Sequence, residues 1–368
     1  MGKITTIALT GGPCGGKSTS ISLLEQELTS KGYVVFIVEE MATNVIKSGA
    51  HPGAVGLMGF QEMLIELQWN RNKVYDKQAE KLAAEGKDVV IIYDRGIPDC
   101  KGFITDEQYT QLITNMGLSE TEVMDYYDGV FHLVTAADGA PEAYTCENNS
   151  ARTETPEQAI ERDRGCMRAW TGHSHLRVIK NNCTFEEKLN KLLEEVYTLL
   201  GIPVPVEIER KYLIKMPDMN ELKSKYDCTT VDIIQTYLVS EDEDTERRVR
   251  QRGIDGNYTF YYTEKQKISE LSRAERERKI SEKEYLTLLM ETDTELRQIK
   301  KQRTCFVSDG KYFELDVYPS WKHKAILEIE LTDENQEVTL PDGIEVIDEV
   351  TNDSRYKNRE LAKGMDNL

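Results

Sequence analysis

The sequence predicts two domains of different fold class: an α/β domain on a parallel, doubly wound sheet, then a β domain closed into a barrel around an ionic lumen. Three observations carry this. Residues 4–32 run as apolar strand, glycine-rich loop and helix. Strand-like and helical stretches then alternate as far as residue 180, the pattern of a parallel sheet. From residue 206 onward, charged residues recur at spacing two in one strand-like segment after another, so that each strand carries a charged row on one face. The 368 residues leave room for two cores. The domains are expected at 1–200 and 206–368, joined by the short linker 201–205.

In the first domain, Ile4–Leu9 is β-branched and apolar, as a buried strand requires. Gly11, Gly12, Pro13, Cys14, Gly15, Gly16, Lys17 and Ser18 then satisfy G-x-x-x-x-G-K-[ST], with Thr19 following. The glycines let backbone N–H groups curl around phosphates, and the helix N-terminus adds positive potential. Lys17 would reach the terminal phosphates and Ser18 would bind Mg. Ile21, Leu24 and Leu28 give the next stretch a helical period, and Gly32 stops it. Further strands are expected at Tyr33–Glu39, Asp88–Asp94, Gly129–Thr135 and Leu176–Lys180, with a long helix at 59–85 ending at Gly86. Asp94 closes an apolar strand where an acid meets Mg directly or through water. The expected ligand is ATP or GTP; nothing resembles a guanine-reading signature, so the base is left open.

The second domain opens on Val206-Glu207-Ile208-Glu209-Arg210-Lys211, which puts Glu207, Glu209 and Lys211 on one face. Arg248 with Arg250, Thr263 with Lys265, Glu275 with Glu277, Lys301 with Arg303, Glu314 with Asp316, and Glu328 with Glu330 repeat the pattern. Between the last pairs stand Leu315, Val317, Leu327, Ile329 and Leu331, a row too apolar for the solvent side. If that row is covered, the charged one lines an enclosed space. Paired carboxylates attract hard divalent cations, and Arg and Lys suit phosphate oxygens. The candidate metal ligands are Ser18 and Asp94 in the first domain, and Glu207, Glu209, Glu275, Glu277, Glu314, Asp316, Glu328 and Glu330 in the second. Lys211, Arg248, Arg250, Lys265, Lys301 and Arg303 are the candidate phosphate-chain ligands.

These residues resemble the CYTH family of triphosphate tunnel metalloenzymes over roughly residues 204–364. Glu207, Glu209 and Lys211 match its ExExK signature. Gln235–Leu238, Arg248 with Arg250, Leu271–Glu277, Phe313–Asp316 and Glu349–Asn358 match further segments in order, and the resemblance adds Arg355 to the candidate phosphate-chain ligands. The resemblance implies an eight-stranded antiparallel tunnel using Mg or Mn on inorganic triphosphate, nucleoside triphosphates or thiamine triphosphate. An extra residue in Lys265-Gln266-Lys267-Ile268 leaves open which lysine faces inward. Arg247 stands where small members carry an apolar residue. In the first half, Asp94-Arg95-Gly96 with Glu39-Glu40 resembles small-molecule P-loop kinases, in which the acid and the Arg handle the acceptor. Residues 3–185 resemble the AAA_28 group of P-loop ATPases, with Arg152, Arg162 and Arg164 as candidate lid arginines. The two halves together are similar to the P-loop–CYTH fusion family.

The net charge of −19 and pI near 4.9 argue against general nucleic-acid binding and against adhesion to anionic membranes. Seven dispersed cysteines without metal spacing read as reduced thiols of a cytoplasmic protein. No apolar run approaches membrane-spanning length. His173 and His175 read as ordinary loop histidines. Met1-Gly2 with Thr6 formally fits an N-myristoylation pattern, though Gly2 also simply precedes the first strand. Two prolines stiffen Gly201–Pro205. A rival function class is a nucleotide-regulated binding protein whose cationic tunnel captures a phosphorylated ligand or an anionic lipid head group. The oligomeric state is not legible.

Overall fold

The structure is a computed structural model that describes residues 2–143, 155–202, 208–240, 242, 245–267, 273–331 and 336–364. The chain divides into two compact units, Met1–Val196 and Tyr197–Leu368.

In the first unit, strands β1 (Ile4–Thr10), β2 (Val34–Val38), β3 (Val89–Asp94), β4 (Gly129–Leu133) and β5 (Leu176–Ile179) form one parallel sheet in the order β2-β3-β1-β4-β5. Helices α1 (Lys17–Ser30), α2 (Met41–Lys47), α3 (Pro52–Ala84), α4 (Asp106–Asn115), α5 (Glu120–Met124), α6 (Pro156–Trp170) and α7 (Phe185–Leu200) alternate with the strands. The expected doubly wound α/β architecture is present. β1, β3 and β4 are buried almost throughout, so they read as continuous apolar runs rather than alternating ones. α1 buries Ile21, Leu24 and Leu28, the residues at helical spacing. The long helix starts earlier than expected, at Pro52, and kinks at Gly56, whose φ of +76° favours glycine. Thr105 and Thr155 cap α4 and α6 through capping boxes with Gln108 and Gln158.

Because the strands are parallel and β1 lies between β3 and β4, the loops after these three strands emerge along one edge of the sheet. That edge, at the carboxyl ends of the strands, is where open α/β folds bind ligands.

The second unit is a single antiparallel sheet of nine strands among the described residues: β6 (Ile208–Lys215), β7 (Thr229–Leu238), β8 (Thr245–Ile254), β9 (Asn257–Lys267), β10 (Arg273–Ile280), β11 (Ile299–Ser308), β12 (Lys311–Val317), β13 (Lys324–Leu331) and β14 (Val346–Glu349). Their order is β10-β9-β8-β7-β11-β12-β13-β6-β14. The short strand β14 brings the number to nine where eight were expected. Asp255-Gly256 and Asp309-Gly310 close two tight hairpins, with φ of +50° and +86° in the first and +48° and +66° in the second.

The apolar row is covered. Tyr212, Ile214, Phe306, Phe313, Leu315, Leu327 and Ile329 bury together with Leu222 of α8 (Met219–Lys225). Each such side chain contributes about 1.5–3 kcal/mol on burial. The opposite row is charged over its middle and apolar at one end, where Leu213, Tyr237, Ile299 and Ile326 pack against Leu361 and Ala362 of the C-terminal helix. No helix among the described residues is long and apolar enough to cross a membrane. The six cysteines among them are free thiols.

Candidate functional site

The glycine loop sits on the carboxyl end of β4. Gly11 has φ +126°, and a Cβ there would lie 2.1 Å from the Leu133 carbonyl oxygen. Gly15 is nearly as close, with a Cβ 2.5 Å from the same oxygen, still inside any real Cβ contact. Gly16, at φ +90°, is the αL residue that turns the loop into α1. Cys14 also takes a left-handed φ, of +56°. Lys17 Nζ donates to the Gly11 and Gly12 carbonyls, both at 3.0 Å, so the amine lies back across its own loop. Burial lowers its pKa, and the Arg95 charge adds to that. Ser18 and Thr19 are exposed in the first turn of α1.

Asp94 and Arg95 end β3 beside this loop. Asp94 Oδ1 is buried with no hydrogen-bond partner, and burial raises the pKa of its carboxyl. A buried carboxyl with a spare oxygen on β3 and an exposed Ser18 hydroxyl on α1 are hard-oxygen donors, the type that suits Mg or Mn. Arg95, at φ +72°, donates through Nε to Glu40 Oε1 at 2.8 Å. Its Nη1 lies 3.8 Å from Asp99 Oδ1. Glu40 keeps its charge below the ordinary range despite burial, because Arg95 and Lys17 face it. Asp99 in turn accepts from Thr10 Oγ1 and from the Gly96 amide. The Glu40–Arg95 pair thus lies at the carboxyl end of β3, with Lys17 of the glycine loop among the charges that face Glu40.

The lid arginines are less assembled. Arg152 lies outside the described residues. Arg164 is exposed on α6, and Arg162 stacks over Phe103 at 4.9 Å. Sequence reasoning missed what lies between them. Asp163 is buried; its Oδ1 accepts from the Gly12 amide at 2.6 Å and the Thr135 amide at 3.1 Å, and its Oδ2 meets His132 Nε2 at 3.1 Å. Lys188 on α7, only 3 % exposed, was also missed. Its Nζ donates to Gly15 O at 3.0 Å, Val134 O at 2.8 Å and Asn181 Oδ1 at 2.6 Å. A lone acid or lysine on a helix gives no sequence signal of this kind. His173 and His175 are packed rather than ligating: His173 Nε2 meets the Tyr127 carbonyl at 2.8 Å and its Nδ1 accepts the His175 amide. The Gly2 amide donates to Ala83 O at 2.8 Å at the start of the sheet.

In the second unit the charged row assembles four adjacent strands. Lys211 on β6 pairs in register with Glu328 on β13, and Glu328 with Glu314 on β12. Asp316 pairs with Arg303 on β11. Lys211 Nζ lies 3.0 Å from Glu328 Oε1 and 3.2 Å from Glu209 Oε1. Arg303 holds three carboxylates at once. It donates through Nε to Asp316 Oδ1 at 2.7 Å and through Nη2 to Asp316 Oδ2 at 2.7 Å and Glu328 Oε2 at 2.8 Å, while Nη1 meets Glu314. Lys301 Nζ reaches Asp316 Oδ2 at 2.5 Å, and both side chains are almost fully buried.

Burial alone would neutralise these groups; the partners decide. Burial opposes the Lys211 charge, but Glu328 and Glu209 outweigh it and raise the pKa. Glu328 is likewise held well below the carboxylate range by Lys211, Lys301 and Arg303. Glu314 goes the other way: burial raises it, and Arg303 only partly offsets that.

A second set lies on β8–β10, where Arg250 Nη2 donates to Glu277 Oε1 at 2.7 Å and Thr263 Oγ1 to Glu277 Oε2 at 2.8 Å. Arg248 and Lys265 share this face, two residues from Arg250 and from buried Thr263. The β9–β10 ladder is regular, with Lys265 opposite Glu275 and Lys267 opposite Arg273, so both lysines fall on one row and the register does not choose between them. The side chains of Glu275 and Lys267 lie outside what is described, as does Glu207 altogether. Glu330 is exposed at the end of β13, opposite Glu209. Arg355 is exposed and paired with Asp353. The candidate metal ligands supply hard oxygens, yet among the described residues no group of three acids converges on a metal position. Glu314, Asp316 and Glu328 converge on Arg303 instead. Arg247, the odd residue in its strand, points outward, to Tyr262 and Glu291.

Residues 6–188 match AAA_28, a family described as an AAA domain. Among solved structures, the inorganic triphosphatase NE1496 is 30% identical, over 43% of this chain and 95% of that one, with a TM-score of 0.30. HpAC1 from Hippeastrum, described as a putative adenylyl cyclase with a dominant triphosphatase activity, is 16% identical over 34% of this chain and 80% of that one, with a TM-score of 0.26. The PH1012 protein from Pyrococcus Horikoshii OT3 is 17% identical over 35% and 81%, with a TM-score of 0.27. No curated protein matches the chain.

Proposed function

We propose that the chain is a P-loop–CYTH fusion acting on phosphoanhydrides. Its second unit is a divalent-metal triphosphatase, working on inorganic triphosphate first and on nucleoside triphosphates as well. Its first unit binds ATP or GTP with Mg, and hydrolyses it or phosphorylates a small acceptor. The observation that carries the triphosphatase reading is the buried row in which Lys211, Lys301 and Arg303 face Glu314, Asp316 and Glu328, with exposed Glu209 at its end, on a sheet whose other face is apolar. So many charges are costly to bury, and a polyanion with its counter-ion is the ligand class that would use both signs.

In this mechanism the incoming triphosphate takes Lys211 and Arg303 from their carboxylates, with Arg248, Arg250, Lys265 and Arg355 gripping the rest of the chain. Mg or Mn would draw its ligands from Glu207, Glu209, Glu275, Glu277, Glu314, Glu328 and Glu330 once the triphosphate has displaced their cations, and would neutralise developing charge on the phosphate oxygens; Asp316, sealed against Lys301 and Arg303, is out of its reach. Lys301 is too buried to reach substrate and fixes Asp316 instead. Water adds to the terminal phosphorus, its proton passes to a carboxylate, and the bridging P–O bond breaks to leave phosphate and diphosphate. Glu314, raised by burial, is suited to take that proton.

Purified protein with Mg or Mn should release phosphate from tripolyphosphate, and Glu209→Gln should abolish release. Equal low rates for both on every triphosphate tested would sink the catalytic reading. For the first unit, Lys17→Ala should weaken ATP and GTP binding by calorimetry while leaving tripolyphosphate hydrolysis intact. The mutual pairing of the tunnel charges favours one second reading, a nucleotide-regulated anion receptor. It requires that nucleotide affinity change when tripolyphosphate or a phosphorylated head group is bound. Equal affinities with and without tripolyphosphate would remove it.

A further inference from the structure

Three buried side chains hold the glycine loop from behind, each gripping one peptide unit. In a trans peptide the carbonyl of one residue and the N–H of the next point to opposite sides of the same plane. Asp163 takes the Gly12 N–H at 2.6 Å, which turns the Gly11 carbonyl the other way, and that carbonyl accepts from Lys17 Nζ at 3.0 Å. Thr135 Oγ1 donates to Pro13 O and so fixes the plane that carries the Cys14 N–H. Lys188 Nζ takes Gly15 O at 3.0 Å and so fixes the plane that carries the Gly16 N–H.

Lys188 is the unusual member of this set. A lysine that is only 3 % exposed has left water, and its acceptors here are three neutral oxygens: Gly15 O, Val134 O and Asn181 Oδ1. An ammonium has three N–H donors and a neutral amine two, so the three bonds call for the charged form. Asn181 is itself locked, because its two Nδ2 N–H groups are shared among the Val134, Thr135 and Asp138 carbonyls, at 3.1, 2.6 and 2.7 Å. A stable fold has cheaper ways to anchor a helix than an unneutralised buried charge.

We propose that Lys188, oriented by Asn181, is a positioning residue of the nucleotide site: its buried ammonium turns the Gly16 amide toward the phosphates and adds a positive charge behind the loop. The inference rests on the first unit's binding a nucleoside triphosphate. Lys188 does not touch the ligand; it acts through the Gly15–Gly16 peptide and through space. The titratable groups that face it are Asp163 from α6, Cys183 from the turn before α7, and Lys17 from the loop. Burial lowers its pKa to about 8, with Asp163 and Cys183 opposing that shift and Lys17 adding to it. A bound polyphosphate would raise it again. Nucleotide binding should therefore take up a proton above neutrality, and affinity should fall as pH rises past about 8.

The sign separates this role from simple packing. The lowered pKa means that the unfolded chain holds this proton more tightly than the folded one, so Lys188 makes the fold more stable as pH rises from about 8. Nucleotide affinity moves in the opposite direction over the same range.

The test is calorimetry of MgATP and MgGTP binding to the full chain from pH 6.5 to 9.5, for wild type, Lys188→Met and Lys188→Gln, with Lys17→Ala as the site control. Lys188→Met should weaken binding at pH 7 by about tenfold or more, the scale of one lost charge-assisted interaction. Wild-type affinity should decline above pH 8, and both neutral variants should lack that decline. If Lys188→Met does not fold, Lys188→Gln carries the test, since it keeps two N–H donors and stays neutral at every pH. A folded Lys188 variant with wild-type affinity and the wild-type pH profile overturns this inference alone. A wild-type chain that binds neither nucleotide overturns the nucleotide reading, and this one with it.

Discussion

Arg303 is the side chain on which the second unit's charged row depends, and replacing it with methionine should unfold that row in a pH-dependent way. The guanidinium touches Asp316, Glu328 and Glu314, but the three acids are not equally exposed to its loss. Asp316 keeps Lys301 at 2.5 Å, and Glu328 keeps Lys211 at 3.0 Å. Glu314 loses the cation that lowers its pKa and is left facing Glu330, Glu328 and Asp316, all of like sign. Stranding one buried charge costs about 3–5 kcal/mol. For a unit of this size, each kcal/mol moves the melting temperature by about 2–4 °C, so Arg303→Met should melt roughly 10 °C lower near neutral pH. Glu314 already has a raised pKa, so the folded state binds its proton more tightly than the unfolded one. Its destabilising effect therefore grows with pH and is relieved on acidification, and the deficit should shrink toward pH 5. Adding Glu314→Gln to Arg303→Met should recover much of the loss at neutral pH. Scanning calorimetry of the full chain reads the shift, and hydrogen exchange over residues 299–331 assigns it to the second unit. An Arg303→Met chain that melts within about 2 °C of wild type at both pH values would refute the reasoning.

Other outcomes follow from single sites. Gly11→Ala forces a Cβ to 2.1 Å from Leu133 O at a φ of +126°, so it should abolish nucleotide binding and lower stability, measured by calorimetry and melting; unchanged affinity would contradict the loop geometry. Acid should unfold the chain partly through Glu328 and Asp163, whose folded pKa values lie below 4.5 and 3.8 respectively. Their stabilisation is present above those ordinary values and lost as pH falls through the folded ones, so urea midpoints should drop below about pH 4.5, and by less in Glu328→Gln. Lys301→Met should lower stability and turnover while leaving the KM for tripolyphosphate near wild type, because Lys301 reaches Asp316 rather than substrate. A raised KM with unchanged stability would place it on the ligand instead.

Two kinds of information were legible in the sequence. Local order was one: strand, glycine loop and helix over residues 4–32 are fixed by β-branched runs, helical spacing and glycines that adopt positive φ. Periodicity was the other. Charges at spacing two, with Leu315, Leu327 and Ile329 between them, fixed which row of β12 and β13 is buried in an apolar core and which carries the ions. Both signals act within one strand or one turn of chain, where backbone geometry leaves few choices.

The sequence did not determine who meets whom. Lys211 finds Glu328 across 117 residues, Gly12 finds Asp163 across 151, and Gly15 finds Lys188 across 173. Nothing in the spacing of β11–β13 says that three acids will close on Arg303 rather than on a metal position, because that depends on strand order and register. Nor could the pattern separate Lys301, sealed on Asp316, from Arg355, which is exposed beside Asp353. Periodicity sets the face of a residue. Its partner, its burial and therefore its charge state are set only when distant segments pack, since in a low-dielectric interior the nearest opposite charge decides which form survives.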